Sequence, residues 1–132
     1  QSKLHLVGRL GFRVDEQAVR RAGLDYWHLV DMAQHPSLAH FEAAARPARL
    51  LYFSAKTPRS YLEAGYQPGD ALVFGKESTG LDAELLARES DRVFGIPTLG
   101  AVRSLNLANA VSIVVYEALR QVGALDAVAL RE

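Results

Sequence analysis

Read from the start of the chain, Leu4-His5-Leu6-Val7 is a short apolar run closed by Gly8, which predicts a strand. Asp15 can cap a short helix running through Arg21 and stopping at Gly23, and Asp25-Tyr26-Trp27-His28-Leu29-Val30 predicts a return as a strand. Pro36-Ser37 opens a second helix, Leu38 to Arg46, rich in Ala and Glu and stopped by Pro47. Leu50-Leu51-Tyr52-Phe53-Ser54 is a continuous apolar run of strand length, ended by Lys56-Thr57-Pro58. After the turn Gln67-Pro68-Gly69-Asp70, the run Ala71-Leu72-Val73-Phe74 is again continuous rather than alternating, as expected of a strand covered on both faces. A helix from Asp82 to Arg88 and a strand over Arg92 to Pro97 follow. The last element is a helix, because Leu107, Val111, Val114, Val115, Ala118 and Val122 recur at spacings of three and four, and Gly123 can end it. Ile113 and Leu119 widen its apolar surface enough for a second neighbour, in a monomer or in another subunit. Strands and helices alternating in this way predict an α/β fold, a mostly parallel sheet flanked by helices.

Composition narrows the classes. A chain of 132 residues with 49% hydrophobic content fits one domain with a real core. Fifteen Lys plus Arg balance fifteen Asp plus Glu, so any pull toward nucleic acid must come from a local basic patch. The absence of cysteine excludes disulfides, thiolate zinc sites and cysteine nucleophiles within the sequence. The longest apolar stretch, Leu105 to Leu119, is interrupted by Asn106, Asn109, Ser112 and Glu117 and reads as a buried helix rather than a membrane span. No secretory signal is visible at the start, and the cytoplasm is the default expectation.

Two polar loops stand where a strand hands over to a helix. In Gly75-Lys76-Glu77-Ser78-Thr79-Gly80, backbone donors and a helix dipole can converge on a phosphate or nucleotide, or the glycines can simply make a turn. A P-loop is rejected, since Leu81 and Asp82 follow the second glycine in place of Lys and Ser or Thr. In Ile96 to Asn109, Ser104 and Asn106 are polar groups at a buried boundary or plain helix caps, Asn109 is a candidate core amide and Arg103 a candidate surface cation. His5, His28, His35 and His40 lack metal-site spacing and read as ordinary surface or packed histidines, so no metal is expected. A hydrolase elbow is absent from the sequence. Arg20 and Arg21 beside Tyr26 and Trp27 suit RNA phosphates and stacked bases, or a solvated helix end followed by core aromatics.

Three strings carry a resemblance: Arg20-Arg21-Ala22-Gly23-Leu24-Asp25-Tyr26, Phe74-Gly75-Lys76-Glu77-Ser78-Thr79-Gly80-Leu81 and Arg103-Ser104-Leu105-Asn106-Leu107-Ala108-Asn109-Ala110-Val111-Ser112. They resemble the S-adenosylmethionine-dependent SPOUT RNA methyltransferases, most of all the tRNA wobble-nucleotide 2′-O-methyltransferases, and the likeness runs from about Leu4 to the end of the chain. The resemblance implies a C-terminal trefoil knot, which the usual rules of chain connection would not suggest. It implies a cofactor pocket lined by Phe53, Gly75, Ile96 and Ser104, with Glu77 organising its loop, and a methyl-transfer site shaped by Ser104 and Asn106. Arg20, Arg21 and Arg103 become candidate RNA contacts, the anticodon stem-loop of tRNA the expected partner, and a homodimer the expected assembly.

Family members also begin with a strand, a Pro-, Asn- and Gly-rich loop and an arginine-bearing helix, on the order of 25 residues at typical element lengths, and no such segment precedes Leu4. Either the protein carries it ahead of Gln1 or it lacks the family's catalytic arginine, and we expect the former, since losing a central strand would leave an open sheet edge. Two other readings remain at this point: a 2′-O-methyltransferase for ribosomal RNA or another tRNA position, and a non-catalytic RNA-binding or cofactor-binding module.

Overall fold

In the computed structural model, which describes residues 3–8, 32–76, 80–98 and 106–127, every described strand pairs parallel to its neighbour, as the continuous apolar runs predict. The chain divides into two compact units, Gln1–Arg46 and Pro47–Glu132.

In the first unit, β1 (Leu4–Val7) pairs with β2 (Met32–His35), with Val7 opposite His35, and Gly8 leaves β1 at a φ of 88°. β2 was not expected, because Met-Ala-Gln-His has no Val, Ile, Thr, Phe, Tyr or Trp; its pairing with β1 makes it a strand. The strand anticipated over residues 25–30 and the helix from Asp15 lie outside the described residues. α1 (Leu38–Ala45) begins where expected: the Ser37 hydroxyl accepts the His40 N–H, and the helix ends at Arg46 in the left-handed conformation before Pro47. Among the described residues of this unit, Phe41 and His35 are the buried side chains. Nδ1 of His5 lies 2.9 Å from Nε2 of His35, whose Nδ1 lies 3.0 Å from Nδ1 of His40. Each bridge holds one proton, so these imidazoles are a linked chain rather than three separate packed rings.

The second unit is built on a three-stranded sheet in the order β4 (Asp70–Phe74), β3 (Arg49–Phe53), β5 (Val93–Phe94). Arg49 and Asp70 open β3 and β4 directly opposite each other, and the guanidinium grips the carboxylate with bonds of 3.0 and 2.7 Å. Asp70 also accepts the Gln67 N–H at 2.8 Å, so one carboxylate closes the turn and sets the register. Burial would raise its pKa, but the bonds from Arg49 and Gln67 and the charges of Arg49 and Arg92 outweigh it and leave it below the ordinary value. A depressed carboxyl adds stability that is present above its unfolded pKa and is lost as pH falls through the folded one. Asp70→Ala is therefore expected to cost about 2 kcal/mol at neutral pH, with the loss disappearing as pH falls below about 4. Thermal melts of both proteins from pH 7 to pH 3 check this, and a pH-independent difference would refute it.

Tyr52 and Val93, opposite each other, are buried on one face of this sheet, and Leu51, Phe53 and Phe94 pack with Ala64, Tyr66 and Val114 on the other. The doubly covered sheet is what the unbroken apolar runs predict. Two short elements separate β4 from β5. α2 (Ala83–Arg88) starts at Asp82, whose side chain accepts the Glu84 N–H, and a single 3-10 turn, Ser90–Arg92, leads into β5. The expected strand from Arg92 to Pro97 shrinks to two residues because Arg92 belongs to that turn and the Gly95 N–H turns to the Arg59 carbonyl.

α3 (Leu107–Gln121) lays Val114, fully buried, and Ala118 on the core face. Its run of β-branched residues is helical all the same, because their spacing along the helix decides which face is buried. Gly123, at a φ of 78°, follows its end. Ile113 and Tyr116 face solvent, as does Val122, which the apolar spacing had placed on the buried stripe. Among the described residues no helix is long and apolar enough to cross a membrane.

Candidate active site at the carboxyl ends of the parallel strands

The chain leaves β3 toward β4 on one side and returns at β5 on the other. In an open parallel sheet such a reversal leaves a crevice at the carboxyl ends of the strands, where ligands bind. β3, β4 and β5 end on Phe53, Phe74 and Phe94, which share one register level, Phe53 opposite both others. Phe53 and Phe74 stack with ring centroids 4.9 Å apart and planes 16° from parallel. Above this aromatic layer the chain continues as Ser54, Gly75 and Gly95, small residues that leave the strand ends bare.

Both glycines are required by close backbone approach. A side chain at Gly75 would run into the carbonyl carbon of Gly80 and the nitrogen of Leu81, because the loop folds back and the Gly80 N–H donates to the Lys76 carbonyl at 2.8 Å. A Cβ at Gly95 would stand 2.6 Å from the Ser54 carbonyl oxygen. Gly95 is clasped further by the loop after β3: its N–H donates to the Arg59 carbonyl at 2.8 Å and its carbonyl accepts the Tyr61 N–H at 2.7 Å. Neither requirement was legible in the sequence, where each glycine passed for a turn or strand residue.

Phe53, Gly75 and Ile96 thus gather at one end of one sheet, with Ile96 partly buried against the Phe53 and Phe94 core. Asn106 caps α3, its Oδ1 accepting the N–H groups of Ala108 at 2.9 Å and Asn109 at 3.4 Å. The capping reading of Asn106 is therefore realised, and the amide Nδ2 is left to meet other groups. Asn109 is exposed rather than a core amide. Arg20, Arg21, Glu77, Arg103 and Ser104 lie outside the described residues. At Asp82 the first helix after the glycine loop caps itself with a carboxylate, which accords with the rejection of a P-loop.

These strand ends fit an adenosine-bearing cofactor: stacked phenyl rings and Ile96 provide apolar surface, and bare glycine backbone allows close approach. A parallel sheet that reverses its strand order at these ends defines an open α/β protein of the kind that binds ligands there, and comparison with known proteins specifies which. The model of the SpoU rRNA Methylase family matches residues 1–116, and the chain belongs to that family. It is 41% identical over 122 residues, 92% of its own length and 78% of the relative's, to the tRNA (cytidine(34)-2'-O)-methyltransferase of Escherichia coli strain K12. A solved structure concerned with 2-OH methylation of C/U34 on tRNA superposes with a TM-score of 0.78 at 47% identity, covering 90% of this chain and 78% of that one. An AdoMet-bound rRNA methyltransferase from Sinorhizobium meliloti superposes at 0.71 with 29% identity, over 90% of this chain and 46% of that one.

Proposed function

We propose that this chain transfers the methyl group of S-adenosylmethionine to the ribose 2′-hydroxyl of nucleotide 34, the wobble position, of tRNA. The observation that carries the reading is the convergence of Phe53, Gly75 and Ile96 at the switch point of a parallel sheet in a chain 41% identical to an enzyme named for that reaction. The reading covers residues 1–132 as one methylase domain, supported by a family match that runs across both compact units.

The cofactor supplies a methyl group already activated on a sulfonium, so the protein's work is alignment and removal of one proton from the ribose hydroxyl. Phe53 and Ile96 offer the wall against which the cofactor rests, Gly75 lets backbone approach it, Ser104 completes the pocket, and Glu77 holds its loop in shape. Ser104 and Asn106 bracket the reacting groups. Because Oδ1 of Asn106 is committed to the helix cap, the contribution left to it is the Nδ2 donor at the start of α3. Arg20, Arg21 and Arg103 hold RNA phosphates, since a chain with equal numbers of acidic and basic residues has no net charge to do so.

Two further expectations belong to this reading. The trefoil knot draws support from the family match across residues 1–116. A homodimer draws support from Ile113 and Tyr116, exposed one turn apart on α3. The cytoplasm is where such a tRNA enzyme would act.

Radiolabelled methyl transfer to unmodified tRNA tests the proposal, with ribosomal RNA as the competing substrate. Incorporation into tRNA abolished by a 2′-deoxy nucleotide 34 is expected. Transfer to ribosomal RNA alone, or RNA binding without transfer, would overturn it. In the same assay Asn106→Asp is expected to keep the cap and the melting temperature yet lose about tenfold or more in turnover, since one lost transition-state donor of ~1.4 kcal/mol is tenfold. Asn106→Ala should lose both, with about 1 kcal/mol of stability gone with the cap. Full activity in the Asp variant would reduce Asn106 to a cap.

A further inference from the structure

We infer that Gln121, at the far end of α3, is a positioning residue for the strand end at Gly95 and Ile96 and, through it, for the cofactor site; this rests on the methyltransferase reading above. Its Oε1 accepts the Tyr66 N–H at 3.1 Å, while its Nε2 donates to Glu117 Oε2 at 2.8 Å and reaches the Leu62 carbonyl at 3.5 Å. Glu117 makes that orientation obligatory. Its carboxylate, gripped by Arg120 through bonds of 2.9 and 2.8 Å and lowered to a pKa of about 2 by Arg120 and Gln121, accepts only. The Gln121 NH₂ must therefore face Glu117, which turns its oxygen toward the backbone of Tyr66.

Tyr66 is 4% exposed, so its N–H has no water to replace that acceptor. Its hydroxyl donates to the Tyr61 carbonyl at 2.8 Å, fastening the start of the same connector. Tyr61 in turn donates its N–H to the Gly95 carbonyl, and Gly95 leads directly into Ile96. Asn106 caps the other end of α3. The strand end that carries Ile96 is thus fastened to one connector, residues 59–66, which α3 holds through the Gln121 amide as well as by packing of Val114 and Ala118 with Ala64 and Tyr66. Gln121 acts from the opposite end of the helix, about 21 Å along its axis at 1.5 Å per residue, and touches neither cofactor nor substrate.

Gln121→Met keeps length and packing and removes both hydrogen-bonding functions. Two readouts are taken: amide hydrogen exchange at Tyr61 and Gly95 without cofactor, and calorimetric binding of S-adenosylmethionine. Exchange at both amides is expected to quicken about tenfold and Kd to rise about tenfold, the size of one unsatisfied buried donor, with turnover at saturating cofactor much less affected. The paired variant Glu117→Gln with Gln121→Glu re-creates a donor facing an acceptor and leaves a carboxylate for the Tyr66 N–H; it should restore both readouts. Unchanged exchange and unchanged Kd in Gln121→Met, whatever its melting temperature, overturn the inference, as does failure of the paired variant to restore them. Faster exchange with wild-type Kd overturns the link to the cofactor and leaves the methyltransferase reading standing. A wild-type protein that binds no S-adenosylmethionine, while Gln121→Met still quickens exchange, overturns that reading and leaves the connector clamp intact.

Discussion

Gly75→Ala is expected to abolish S-adenosylmethionine binding and to lower stability by about 3 kcal/mol, the upper range for forcing extra volume into a packed site. The added methyl would collide with the Gly80 carbonyl carbon and the Leu81 nitrogen and stand 2.6 Å from the Gly80 oxygen. These are backbone atoms, so no rotamer change relieves the contact. The loop from Gly75 to Gly80 must open instead, breaking the bond from the Gly80 N–H to the Lys76 carbonyl and displacing the strand end where the cofactor is proposed to rest. For a chain of this size the melting temperature should fall by about 10 °C. Calorimetric titration and a thermal melt read the two effects, and a variant that binds S-adenosylmethionine like the wild type would refute the placement of Gly75 at the site.

Phe53→Ala should be at least as damaging, by about 3 to 5 kcal/mol, because it empties the centre of the core. Phe53 is 7% exposed, stacks on Phe74 and lies 6.5 Å by ring centroid from Phe94. Phe53→Leu separates packing from recognition. It refills most of the volume at a cost of roughly 1 kcal/mol yet offers no flat face, so Kd for the cofactor should rise several-fold while the melting temperature stays near wild type. Equal affinity in the Leu variant would leave Phe53 a core residue only.

Much of this architecture was readable along the chain. The ends of α1 followed from Ser37 and Pro47, the start of α2 from Asp82, and the parallel sheet from unbroken apolar runs at 50–54 and 71–74. Where reading failed, the deciding interaction came from elsewhere in the chain. Met32–His35 is a strand because β1 lies beside it, and β5 is short because Arg59, far away in sequence, takes the Gly95 N–H. Three histidines with no metal-site spacing form a hydrogen-bonded chain because β1, β2 and α1 bring His5, His35 and His40 together. Gln121 gave no signal at all: a polar residue in the last turn of an amphipathic helix looks solvated until its partners, 55 and 59 residues earlier, are known.

By itself the sequence determined the alternation of strands and helices, their caps, the neutral charge balance and the strings that mark the methylase family, since all of these are local patterns or plain counts. Tertiary structure alone decided that β3 stands between β4 and β5, that three phenylalanines align at one register level at the strand ends, and that Gly75 and Gly95 must lack side chains. The physical reason is range. Hydrophobic periodicity says which face of an element is buried, whereas strand order and the close passage of one backbone past another depend on groups that meet only when the chain has folded.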